Sequence, residues 1–169
     1  RESDWCSDVC SSDLAGLQTK TINLSPTDTL ATAAAKIDAA SEATGVTASA
    51  RNQVELTTFV AGGSYSLAVV GDNATAANVT FSVSTAGATA AGLAEGIKAF
   101  NDVSSQTGIT AKLNADGDGI ILINESGADI QIQNNSAAGN TLAVGAYDAV
   151  TSASSGTPTF VAGVAAAPA

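Results

Sequence analysis

Two stretches, LATAAAKIDAASEATGVTA at residues 30–48 and LAEGIKAFNDVSSQTGITA at residues 93–111, decide how this chain is read. They align without a gap at an offset of 63 residues. Leu30 then meets Leu93, Ala34 meets Ile97, Ile37 meets Phe100, Asp38 meets Asn101 and Ala48 meets Ala111. Thr44-Gly45 falls on Thr107-Gly108. The matches fall on apolar positions and on the turn together, which marks an internal repeat.

Each copy predicts the same elements. Leu30, Ala34, Ile37 and Ser41 have the spacing of one helical face, and so do Leu93, Ile97, Phe100 and Ser104. Ile37 and Phe100 are expected to anchor helix to sheet. Ser25 reads as the cap of the first helix, with Pro26 at its first position and Asp28 as the capping-box acid. Gly45 and Gly108 follow the stripes, where a left-handed residue ends a helix. Beyond them VTASAR and VELTTF, and then ITAKL and GIILIN, alternate as paired strands. KTINL and VTFSVS read as strands before the helices, and SYSLAVVG with the turn GDN bridges the copies. The expected fold is therefore α+β and β-rich: two repeated strand–helix–β-hairpin units with antiparallel sheet. Its boundaries are 15–58 for the first unit and 59–135 for the second. Residues 136–169 read as a loop and partial strand leading out, with TLAVGAY as the strand and TSASSGTPT as a flexible connection.

The opening RESDWCSDVCSSDL is unlike the rest: both cysteines, Cys6 and Cys10, and the single tryptophan, Trp5, lie within it. A C-x-x-x-C pair with no partner pair is a poor disulfide or zinc signature. The string DWCSDVCSSDL is similar to DWSSDVCSSDL, which a widely used sequencing adapter gives when translated in one frame; only Cys6 departs from it. Residues 1–14 are thus expected to be a non-native artefact. With no methionine at all, the chain also reads as a piece of something longer.

Composition narrows function. The net charge of −10 disfavours nucleic acid and anionic membranes. No apolar run approaches the roughly 20 residues of a membrane span. The chain has no histidine, so the usual general base and the commonest transition-metal ligand are missing. No catalytic, cofactor-binding or metal residue is expected, and the chain reads as a non-enzyme.

One motif tests that expectation. Asn114, Asp116, Asp118 and Glu125 have the spacing of a twelve-residue calcium loop, with asparagine in place of the first aspartate. Such loops join helices, whereas this one joins two strands, and Asp-Gly between apolar runs is an ordinary hairpin turn. The turn is the expected reading. Sequons at Asn23, Asn73, Asn78, Asn124 and Asn134 are unremarkable in so Ser/Thr-rich a chain. Glu42, Glu95 and Asp102 read as a solvated helix face. The glycines at Gly62 lack the lysine of a phosphate loop.

Over residues 20–133 the repeat resembles the flagellin hook IN motif of the variable middle region of bacterial flagellins. There a leucine-led helix carries an Ile-Asn pair and ends in Thr-Gly-Val-x-Ala before a β-hairpin. Ile37-Asp38 and Phe100-Asn101 stand in that place here, neither a strict Ile-Asn. The resemblance implies a structural component of the bacterial flagellar filament, extracellular, without cofactors. It would be the surface-exposed outer domain of a flagellin that lacks the polymerising terminal helices. Its partners would be other flagellin subunits, through those missing terminal regions, and the isolated fragment would be monomeric. The alternatives are a filament cap or hook-associated protein domain, and a secreted calcium-dependent adhesin repeat.

Overall fold

The computed structural model describes residues 10–15 and 18–161. In chain order its elements are β1 (Cys10–Ala15), β2 (Thr19–Leu24), α1 (Leu30–Asp38), α2 (Ser41–Thr44), β3 (Asn52–Thr57), β4 (Ser64–Val70) and β5 (Ala77–Ser82). They continue with α3 (Ala94–Asp102), α4 (Ser104–Thr107), β6 (Ile109–Leu113), β7 (Ile120–Asn124), β8 (Gln131–Asn134), β9 (Leu142–Asp148) and β10 (Ala153–Val161). All strand pairs are antiparallel, so the fold is α+β and β-rich.

The chain divides into two units. The first runs up to Arg51 and takes in Ser126–Ala128; the second takes the rest. In the first unit β1 and β2 form a hairpin with Cys10 opposite Leu24 and Ala15 opposite Thr19. Residues 10–14 of the adapter-like stretch therefore lie in a strand, while residues 1–9, with Cys6 and Trp5, lie outside the described residues. Both α1 and α2 pack against β2. Ile22, Ala40 and Thr44 are buried here, but no residue of α1 is, and Leu30 at its start is 56% exposed.

The start of α1 departs from expectation. Thr29, not Ser25, is the N-cap, its hydroxyl accepting from Thr32 N at 3.2 Å. Ser25 and Asp28 instead close a turn on each other: Asp28 N donates to Ser25 O at 2.9 Å and Ser25 N to Asp28 Oδ2 at 2.8 Å. The reciprocal bonds of a capping box are present, but they precede the helix. Four consecutive residues able to cap or turn, Ser25 to Asp28 with Pro26 among them, compete with Thr29 for that role.

The second unit contains a five-stranded sheet ordered β10-β9-β3-β7-β6 and a three-stranded sheet ordered β5-β4-β8. Strict alternation along β4 and β5 turns Tyr65, Leu67 and Val69, with Ala77, Val79 and Phe81, to one face. All of these but Ala77 join Leu56, Leu93, Phe100, Ile109, Ile120, Leu122 and Leu142 in one core. Fully burying each large side chain contributes roughly 1.5–3 kcal/mol. Four rings meet there. Phe59 stands edge-on to Tyr65 at 5.4 Å, Tyr65 stacks on Phe81 at 5.4 Å, and Phe81 lies 6.1 Å from Phe100. The Tyr65 hydroxyl accepts from Val60 N and donates to Thr141 O, each at 2.8 Å.

Two further expectations change. VTASAR, at residues 46–51, sits in no ladder. Within the second unit β3 already has β7 along one edge and β9 along the other, so it has no edge left for a hairpin partner. The stretch around TSASSGTPT is not a connection but β10, paired with the outer edge of β9. Its register shifts between Ser155 and Thr159, and that interval holds Gly156 and Pro158. A bulge on an edge strand is one of the few sheet positions that accept proline.

Candidate functional site

The repeat builds the same joint twice, and the joint is where the chain's polar side chains have fixed work. Each helix ends in a four-residue turn, α2 or α4, then a left-handed glycine: Gly45 at φ 71° and Gly108 at φ 67°. Gly45 N donates to Ser41 O at 2.7 Å, and Gly108 N to Ser104 O at 2.8 Å. The threonine before each glycine serves both sides of the turn. Thr44 Oγ1 donates to Ala40 O (2.9 Å) and accepts from Val46 N (3.2 Å). Thr107 Oγ1 donates to Val103 O (3.1 Å) and accepts from Ile109 N (3.2 Å). One hydroxyl thus satisfies an orphan carbonyl of the helix end and the first amide beyond it. This gives a physical reason for Thr-Gly to be identical in the two copies.

The residue at the Ile-Asn position reaches forward over ten residues. Asn101 Oδ1 accepts from Ala111 N at 2.8 Å while its Nδ2 donates to Ala111 O at 3.0 Å. In the first copy Asp38 Oδ1 accepts from Ala48 N at 2.8 Å. An ionised carboxylate has no donor, so the second bond has no counterpart from Asp38. The aligned pairs Asp38/Asn101 and Ala48/Ala111 therefore mark a contact as well as a similarity.

The Asn114–Glu125 segment supplies the turn and the second strand of the β6–β7 hairpin. Asn114 braces it: Oδ1 accepts from Asp118 N and Gly119 N at 3.0 Å each, and Nδ2 donates at 2.8 Å to both Asp118 Oδ1 and Glu55 Oε1. The oxygen that a calcium loop would turn to the ion is bonded to the backbone. Asp116, Asp118, Glu55 and Thr57 line an open cleft of about 600 Å³ beside this turn. Among the described residues no group of three His, Cys, Asp or Glu side chains is placed to hold a metal ion. No buried side-chain polar atom among them lacks a partner.

The sequons separate cleanly. Asn124 and Asn134 are buried, and Asn134 Nδ2 donates to Asn140 O at 2.8 Å and Val161 O at 3.1 Å. Asn73 closes the turn after β4, its Oδ1 accepting from Gly71 N at 2.8 Å. Asn23 and Asn78 are exposed. So are Glu42, Glu95 and Asp102; Asp102 pairs with Lys98 one helical turn away at 2.6 Å.

Against known families, residues 14–62 match the model described as the flagellin hook IN motif. The match begins where the adapter-like stretch ends and spans the first joint. It makes this part of the chain flagellin-related. It covers less than a third of the sequence, and the second joint lies outside it. No curated protein matches the chain significantly. No helix among the described residues is long and apolar enough to cross a membrane.

Proposed function

We propose that this chain is the surface-exposed outer domain of a bacterial flagellin, a structural component of the extracellular flagellar filament. The match of residues 14–62 to the flagellin hook IN motif carries the reading. The second joint supports it, because Thr107, Gly108 and Ala111 repeat the contacts of Thr44, Gly45 and Ala48. Both copies are accordingly IN-type units. In this reading the chain is no enzyme, needs no cofactor and binds neither nucleic acid nor membrane. In the filament it meets other flagellin subunits, and alone it is monomeric. Acidic character and the lack of cysteine beyond position 14 suit a domain that crosses an export channel unfolded and refolds outside.

Antibodies raised against residues 15–169 test this on whole cells by gold labelling. Label along the filament shaft is expected. Label confined to the filament tip or the hook junction would move the protein to the cap or hook-associated class. Label on the cell body alone would sink the flagellar reading.

A further inference from the structure

β6 is the last strand of the five-stranded sheet, so among the described residues one of its edges has no strand beside it. Peptide groups of an antiparallel strand point alternately to the partner and away from it. Asn114 N, just beyond β6, donates inward to Gly119 O at 2.9 Å, which places Ala111, three residues earlier, in the outward set. An open row of such groups is a template for another chain. On β6 the middle of that row is already taken. Ile109 N donates to Thr107 Oγ1, and both groups of Ala111 are held by the Asn101 amide.

We propose that Asn101 acts as a one-residue stand-in for a neighbouring strand, closing the edge of β6 against pairing with a second copy of the chain. A primary amide is the side chain suited to this. It offers one acceptor and one donor at the spacing of a peptide group, which neither a carboxylate nor a hydroxyl can match. α3 carries it to the edge, since Phe100 beside it is buried in the core and α3 packs against β6. The inference stands apart from the filament reading, because it concerns only how this sheet ends.

The test is amide hydrogen exchange by NMR on the full chain, with sedimentation velocity on the same samples. Asn101→Ala should speed exchange at Ala111 roughly tenfold, the loss expected for one net hydrogen bond. Ile121 and Leu122 of β7 should barely change. The same variant should show concentration-dependent self-association, and adding Ala111→Pro, which removes the outward N–H, should restore the monomer. Asn101→Asp keeps the acceptor and should leave the Ala111 amide protected. Unchanged exchange in Asn101→Ala, a monomeric Asn101→Ala protein, or association that survives Ala111→Pro would each overturn the proposal. If Asn101→Ala does not fold, Asn101→Asp decides: protection at Ala111 alone within about threefold of the parent supports it, and general loosening of β6 and β7 overturns it.

Discussion

The two copies of the repeat share a joint and differ in what lies over the helix. Thr44 and Thr107, with Gly45 and Gly108, make the same bonds to within 0.2 Å. Yet Leu93 and Phe100 are sealed at 0% and 1% exposure, while their counterparts Leu30 and Ile37 stay 56% exposed and half-buried. In the second copy the helix is met from both sheets: Phe81 of β5 and Ile120 of β7 come so close to Gly96 that a Cβ there would sit 3.0 Å from each. In the first copy α1 has the β1–β2 hairpin to pack on, and none of its residues is buried. Local sequence sets the joint, and the amount of sheet available sets how much of the stripe is covered.

Substitution at paired positions can break that contrast. Phe100→Ala should cost about 3–5 kcal/mol in urea unfolding, whereas Ile37→Ala should cost less than about 2 kcal/mol, because burial of the latter is partial. Equal losses would mean that the exposed stripe of α1 is covered in solution. The glycines come next. An alanine at Gly45 meets nothing within 4 Å and should cost about 1 kcal/mol for the left-handed backbone alone. At Gly108 the new methyl would collide with the Asp72 carboxylate, and roughly 2–4 kcal/mol is expected from thermal melts.

The units should also answer differently to pH. In the second, burial raises the pKa of Tyr65, opposed by the hydrogen bond from Val60 N. A raised folded value means that its contribution is whole below the ordinary tyrosine pKa near 10 and is lost as pH climbs toward the folded one. Tyr65→Phe, which strands Val60 N–H and Thr141 C=O, should cost about 1–3 kcal/mol and flatten this alkaline limb. In the first unit the hydrogen bond from Lys36, helped by Ser25 N–H, holds Asp28 below the usual carboxylate range. Its contribution is present above the unfolded pKa near 3.9 and fades as pH falls through the folded value. Asp148, lowered by Val150 N–H, acts in the same direction in the second unit, so the alkaline limb is the one that tells the units apart. Stability measured from pH 3 to pH 11, with Tyr65→Phe and Asp28→Asn, checks both signs. The smallest effect is Asp38→Asn. It gives the first joint the donor that Asn101 has, and should raise the melting temperature by the worth of about 0.5–1 kcal/mol.

The sequence made the joint legible because everything that builds it is local. The apolar stripe, the threonine and the left-handed glycine lie within sixteen residues of one another in each copy. The hairpin turn at Asn114 was equally local. What escaped was decided at long range. Nothing in VTASAR says that the strand after it will be taken on both edges by β7 and β9, which arrive far later in the chain. TSASSGTPT has the composition of a linker, and becomes a strand only because β9 presents an edge that tolerates its bulge. The family pattern drew attention to Asn101 as half of a pair. Its partner Ala111 is itself a repeat match, but an alanine gives no sign that its backbone is the thing being held.

Phe59, Tyr65, Phe81 and Phe100 put four rings into one cluster of the second unit, and apart from Trp5 the first unit has no aromatic residue. The molecule is therefore optically one-sided. In a Trp5→Ala variant, near-ultraviolet circular dichroism in the tyrosine and phenylalanine bands watches only the second unit melt, while scanning calorimetry records heat from both. Where the two traces part company, the difference is the unfolding curve of the first unit, obtained without a label.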